Sequence, residues 1–257
     1  MQVPLLDLVP QYKALKNEFM KVMEEVCDSQ RFILGDKVVE FEKAAAAYCQ
    51  TNDSIGVTSG SDALIIALME ANIGTGDEVI TSTFTFFATA GAIARVGATP
   101  VFCDIDPVTF NIDPASAAAK ITDKTKAIIP VHLFGQAANM GEIMKLAEKH
   151  NLIVIEDACQ AIGAEYKGKR VGTFAEYGAF SFFPSKNLGC FGDGGAVSCD
   201  TEERAKKEAE EKAKEEHDEL IVLILIYKSA VSSLKNEKCL SLASSIVELT
   251  PRFLNQL

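Results

Sequence analysis

With 257 residues, 48% hydrophobic and 24% charged, the chain suffices for one large α/β domain with a sizeable core, alone or with an appendage. A formal net charge of −11 disfavours electrostatic capture of nucleic acid or of an anionic membrane surface. Seven cysteines with no CxxC spacing point to buried thiols in a reducing cytosol rather than a disulfide framework, and three histidines without HExxH argue against a metal site.

No basic segment followed by an apolar run opens the chain, so a cytoplasmic protein without a signal peptide is expected. Residues 10–27 read as a helix, 29–36 as a loop exposing Arg31 and Phe32, and 38–49 as a second amphipathic helix. Strands are then predicted at 55–58, 78–81, 100–105, 127–131 and 152–156, alternating with helices at 61–71, 86–96, 114–120 and 140–150. Val/Ile-rich strands separated by helices of this length predict an α/β fold, a mostly parallel sheet covered by helices on both faces. Residues 166–171 form a predicted hairpin turning at Gly168, 179–183 an apolar strand, and 196–199 the strand that closes the sheet.

Composition then changes sharply. All seventeen glycines precede Ala196, and the last 62 residues contain none. Residues 202–219 are a charge-dense run of helix formers with i,i+4 pairs such as Glu203–Lys207. The run LIVLILIY at 220–227 suits a buried strand or a helix segment, and its aliphatic core, 220–226, is too short to span a bilayer. The expected division is a large domain at 1–200 and a mainly helical tail at 201–257.

Four stretches carry candidate chemistry. In FSFFPSKNLGCFGDGGA (180–196) a strand stops at Pro184 and releases Lys186 between Ser185 and Asn187. Apolar walls there would favour a neutral, nucleophilic amine, as a lysine bonding pyridoxal phosphate needs; the alternative is a lysine that merely ends a core strand. At Gly60-Ser61-Asp62 a strand gives way to a helix whose free N–H groups suit a phosphate, or whose start is simply capped by Ser61 or Asp62. Asp157, after the strand LIVI, is placed to pair with a pyridine nitrogen, with Gln160 near the ring oxygen; alternatively Asp157 caps the next element. Among Phe84, Phe86 and Phe87, one ring is free to stack on a flat heterocycle and the others are expected in the core. His132 reads as a satisfied structural histidine. All of these fall at strand C-termini of one sheet.

SGSDAL (59–64), TFTFFATAGAIARVGATPVFCDID (83–106), PVHLFGQ (130–136), EDACQAIGAEY (156–166) and the lysine stretch resemble the DegT/StrS family of sugar aminotransferases. PLLDLVPQYKAL and FILGDKVVEFE resemble its N-terminal arm, so the likeness covers residues 3–205. It implies the aspartate-aminotransferase-like fold (fold type I) with pyridoxal 5'-phosphate as cofactor. By this match Lys186 is the Schiff-base lysine, Asp157 the partner of the ring nitrogen, Gln160 that of the ring oxygen, and Phe86 the stacking ring. Gly60, Ser61, Asp62 and Ser181 would hold the phosphate. The resemblance further implies a nucleotide-linked keto-sugar acceptor, glutamate as usual donor, a part in polysaccharide biosynthesis and a homodimer; Arg31, Phe32 and Tyr166 are candidates for substrate contact. Lysine at 186 argues against the family's dehydratase branch, which carries histidine there. Family members continue into a small C-terminal domain with a Gly-x-Asn-x-Arg segment, and nothing like it follows Asp200. The alternative expectation is therefore an impaired or dead fold relative whose tail mediates association.

Overall fold

The computed structural model describes residues 6–200; the tail expected at 201–257 lies outside the described residues. Helix α1 (Val9–Ser29) places Pro10 in its first turn, where the missing N–H breaks no helical bond, and buries Phe19, Val22 and Val26. Helix α2 (Asp36–Cys49) buries Val38, Phe41, Ala45 and Cys49, a spacing that keeps them on one face. Phe32, expected to be exposed, instead packs against Val26 and Val38 where the two helices meet. Arg31 is exposed and paired with Asp36 at 2.9 Å.

The strands and helices then alternate as β1 (Asp53–Val57), α3 (Gly60–Glu70), β2 (Glu78–Ser82), α4 (Phe87–Arg95), β3 (Thr99–Cys103), α5 (Pro114–Ala118), β4 (Thr125–Ile129), α6 (Met140–His150) and β5 (Ile153–Asp157). A hairpin, β6 (Glu165–Tyr166) and β7 (Lys169–Arg170), leads to β8 (Tyr177–Ser181) and β9 (Gly195–Cys199). The sheet has seven strands in the order β1-β9-β8-β5-β4-β2-β3. Only β9 runs against its neighbours, so β1, β8, β5, β4, β2 and β3 all end at one edge.

Successive strand residues point to opposite faces, and the two cores follow that alternation. Val79, Ala127, Ile129 and Ile155 pack with α3 and α4 on one side, while Ile80, Ile128 and Val154 pack with Ala117 of α5 and Ile143 of α6 on the other. Helix α3 lies so deep that Ala63, Leu64, Ile66, Ala67 and Leu68 are all essentially inaccessible. A third core joins Phe41 and Ala45 of α2 to Phe180, Phe182 and Ala196.

The strand expected at 179–183 ends at Ser181. Its ladder with β9 closes at the pair Ser181–Gly195. Beyond it the chain turns: Lys186 N–H donates to the Phe183 carbonyl at 2.8 Å, and Phe183 swings out to 44% exposure. The phenylalanine-rich stretch Phe180-Ser181-Phe182-Phe183 conceals where the ladder stops.

Candidate functional site

The first part of the site lies where β1 meets α3. Ser59 caps the helix, its Oγ accepting the Asp62 N–H at 3.1 Å. The Asp62 carboxylate in turn accepts the hydroxyls of Ser59, at 2.7 Å, and of Thr58. Ser59 is thus the cap, in place of Ser61 or Asp62, because the helix already begins at Gly60. Asp62 has both its N–H and its carboxylate engaged in that cap. The N–H groups of Gly60 and Ser61 have no hydrogen-bond partner among the described residues, which leaves two donors at the positive end of a buried helix. Gly60 is fixed by close packing: a Cβ there would stand 2.6 Å from Ser181 Cβ and 2.8 Å from Cys159 Sγ. Ser181 accepts the Phe183 N–H at 3.3 Å, so its own hydroxyl proton remains available.

The second part is the end of β5. Asp157 is 5% exposed, and its backbone is clamped on both sides, N–H to the Pro130 carbonyl at 2.9 Å and carbonyl from the His132 N–H at 3.0 Å. Its Oδ1 accepts the Cys159 N–H at 3.2 Å and its Oδ2 the Thr89 hydroxyl at 2.8 Å. Asp157 therefore does hold the turn that follows it, and each carboxylate oxygen keeps capacity for a further donor. Gln160 accepts the Phe134 N–H on Oε1 at 3.0 Å, which leaves its amide NH₂ to donate.

One residue before Asp157, Glu156 is wholly buried and accepts four bonds. Phe174 N–H at 2.6 Å and Ala175 N–H at 3.0 Å fall on Oε1; Gly172 N–H at 2.8 Å and His132 Nε2 at 3.0 Å fall on Oε2. His132 Nδ1 accepts the Ala138 N–H at 3.0 Å, so the ring carries its proton on Nε2 and donates to Glu156. His132 is the structural histidine that the sequence suggested.

The third part comes from α4. Phe86 is its N-terminal cap residue and is 67% exposed; Phe84 and Phe87 are exposed as well, at 47% and 80%. The expectation that most of these rings enter the core is corrected. They follow β2 at the open edge of the sheet, where the chain has left both packed faces. Thr89, one turn into the helix, is fully buried.

Lys186 is half-buried, and its amine has no hydrogen-bond or ion-pair partner among the described residues. Burial pushes the Cys159 thiol well above its ordinary pKa; the Asp157 charge adds to the shift and the Lys186 charge opposes it. Cys159 thus joins two of these groups: Gly60 packs on its sulfur and Asp157 accepts its N–H. Tyr166 is tied to Asn139 by a 2.8 Å hydrogen bond and packs edge-on against Phe174. The bonds of Ser59, Thr89 and Glu156 escaped the sequence, which shows residue types and not the partners that long-range pairing brings to them. An open cleft of about 340 Å³ bordered by Asn72, Asp77, Lys126 and Glu176 lies at the opposite edge, at the N-terminal ends of the strands. The candidate groups occupy the other edge, at the strand C-termini, where open α/β sheets bind ligands.

The profile of the DegT/DnrJ/EryC1/StrS aminotransferase family matches residues 13–214. A "pleiotropic regulatory protein" of Geobacillus stearothermophilus is 59% identical over 80% of this chain and 56% of its own length. The UDP-N-acetyl-3-dehydro-alpha-D-glucosamine 3-aminotransferase of Acidithiobacillus ferrooxidans is 49% identical over 76% of this chain and 53% of its own. The chain thus spans about half the length of the curated relatives it matches. Among solved structures, Streptomyces venezuelae DesV in complex with a ketimine intermediate superposes with a TM-score of 0.85 at 38% identity, covering 91% of this chain and 66% of DesV. Bacillus subtilis NtdA with bound cofactor PMP gives a TM-score of 0.75 at 34% identity, covering 88% of this chain and 53% of NtdA.

Proposed function

This chain belongs to the DegT/DnrJ/EryC1/StrS aminotransferase family, and on that premise we propose that it carries the pyridoxal-phosphate platform for amination of a nucleotide-linked keto-sugar, with glutamate as amino donor. The observation that carries this reading is that Cys159 joins two of the groups, a helix start with two free N–H donors packed on its sulfur through Gly60 and the buried Asp157 carboxylate that accepts its N–H, while Lys186 follows β8, the strand paired beside Asp157. These groups fit the cofactor's phosphate, ring nitrogen and carbonyl carbon. The large domain at 1–200 is the unit that holds them.

When bound, the cofactor supplies an electron sink. Gly60 and Ser61 donate N–H bonds to its phosphate, with the Ser181 hydroxyl as a third donor, and Asp62 braces the cap that fixes them. The Asp157 carboxylate holds the proton of the ring nitrogen, the Gln160 amide donates to the ring oxygen, and Phe86 covers a ring face. Lys186 Nζ anchors the carbonyl carbon. The Lys186 amine, when not bonded to that carbon, would be the group to move a proton to and from the substrate carbon.

A homodimer is part of the same reading, because Phe86, Phe87 and Phe134 stand 67%, 80% and 78% exposed beside the site. So is a cytoplasmic location: the described cysteines are all free, and no helix of the described residues is long and apolar enough to cross a membrane.

The test is an absorbance titration with pyridoxal phosphate, with and without borohydride, on the wild type and Lys186→Ala. The wild type should develop a visible band that borohydride traps covalently, and the variant should not. A wild type that ignores added cofactor overturns the reading. Glutamate-dependent amination of keto-sugar nucleotides then tests the substrate class, and light scattering on the same sample tests the dimer; a monomer at working concentration removes that part.

A further inference from the structure

Among the fully buried polar groups that the mechanism as stated leaves unused, the hydroxyl of Thr89 is the one bonded to the Asp157 carboxylate. Its Oγ1 lies 2.8 Å from Asp157 Oδ2 and also 2.8 Å from Thr85 Oγ1. An ionised carboxylate only accepts, and a hydroxyl has one proton to give. The Thr89 proton therefore goes to Asp157, and the contact with Thr85 must run the other way, Thr85 donating to Thr89. The result is a directed chain, Thr85 to Thr89 to Asp157, in which each donation polarises the next.

We propose that Thr89, backed by Thr85, is the positioning residue that aims Asp157 at the cofactor's ring nitrogen. This inference rests on the reading of Asp157 given above. The carboxylate is held at two points on different elements, Oδ1 by the Cys159 N–H and Oδ2 by Thr89, so its plane cannot swing about the side-chain bonds. A buried carboxylate stripped of water needs such donors. Thr89 also couples the two ends of the ring site. Its N–H donates to the Phe86 carbonyl at 3.2 Å, so the turn that presents the stacking ring is the turn that holds the carboxylate. One helical turn of α4 thereby sets both the height of the ring over Phe86 and the bearing of Asp157 on its nitrogen.

The test compares pyridoxal phosphate with its 1-deaza analogue, which has carbon where the ring nitrogen stands and gives Asp157 nothing to pair with. Both are titrated into wild type, Thr89→Val and Thr89→Ser, with circular dichroism and melting temperature as checks on folding. Wild type should prefer the natural cofactor. Thr89→Val, isosteric without the hydroxyl, should lose about tenfold in affinity for it and little for the analogue, the scale of one charge-assisted hydrogen bond. Thr89→Ser should restore the preference. Equal weakening toward both ligands in Thr89→Val would mean a general packing role and would overturn the proposal, as would a wild type without any preference. Should Thr89→Val fail to fold, Thr85→Val on the half-buried outer hydroxyl tests the same chain. It should reduce the preference about twofold to threefold, and an unchanged preference there would refute the relay. A wild type that binds neither ligand instead defeats the underlying reading of the site.

Discussion

Glu156→Gln should be among the most damaging conservative substitutions in the described chain. The carboxylate is fully buried and takes two donors on each oxygen: Phe174 and Ala175 N–H on one, Gly172 N–H and His132 Nε2 on the other. A glutamine has a single acceptor oxygen, and whichever way its amide is turned, its NH₂ faces two buried donors. His132 cannot relieve the conflict by shifting its proton, because Nδ1 is already committed to the Ala138 N–H. Each stranded donor costs about 1–3 kcal/mol, so the sum is about 4 kcal/mol, a large share of the roughly 5–15 kcal/mol that stabilises a typical domain. At about 2–4 °C per kcal/mol for a domain of this size, the melting temperature should fall by roughly 8–16 °C. Differential scanning fluorimetry of Glu156→Gln beside Glu142→Gln makes the comparison. Glu142 is an exposed partner of Lys145, and its loss should leave the melting temperature unchanged. A Glu156→Gln protein melting within about 1 °C of wild type would refute the four-donor account.

Two further outcomes follow from the packing. Gly60→Ala places a methyl 2.6 Å from Ser181 Cβ and 2.8 Å from Cys159 Sγ, so the helix start must retreat. About 1–3 kcal/mol of destabilisation in urea and weaker binding of pyridoxal phosphate are expected, and an unchanged value of both would show that the contact yields freely. Burial pushes the Cys49 thiol from 9.0 up to about 12, with the Arg170 charge pulling slightly the other way. The folded chain then keeps this proton where the unfolded chain has lost it, so stability is fully present below pH 9 and drains away as pH rises toward 12. With each pKa unit worth about 1.4 kcal/mol, the stability advantage of wild type over Cys49→Ala should shrink through the alkaline range by a few kcal/mol. A gap that stays constant with pH in denaturant melts would contradict the buried neutral thiol.

Much of the sheet was readable because its strands are Val/Ile-rich and its helices punctuated, and the period-two alternation of Val79–Ile80 and Ile128–Ile129 reappears as the two cores. Lys186, Asp157 and Gln160 were readable as types at strand ends. What stayed hidden has a common cause. Hydrophobicity assigned Phe84, Phe86 and Phe87 largely to the core, although a residue past the strand end has left both packed faces. Phe32 erred the opposite way, because a loop between two helices is covered by both. The bonds from Thr89 to Asp157, across 68 residues, and from Gly172 to Glu156, across 16, exist only once the sheet order is fixed. No local pattern encodes them.

The site that results is divided into a finished half and an open half. Asp157, Glu156, His132 and Thr89 are buried and bonded to one another or to backbone, so the carboxylate proposed for the ring nitrogen is fixed by the protein's own groups. Phe86 and Phe134, by contrast, face outward, and the Lys186 amine is unpaired among the described residues. That asymmetry suits a platform chemistry. The groups that tune the cofactor's electronics need to be rigid in advance, since donors that must reorganise lose their advantage at the moment of reaction. On the proposed reading, the groups at the carbonyl carbon would need freedom to let an amino donor in and a keto-sugar follow. If the division is functional, hydrogen exchange of the Asp157, Cys159 and Gly172 amides should be slow in the cofactor-free protein and barely slower with pyridoxal phosphate added. Strong new protection at these amides on binding would show instead that the inner half is assembled by the ligand.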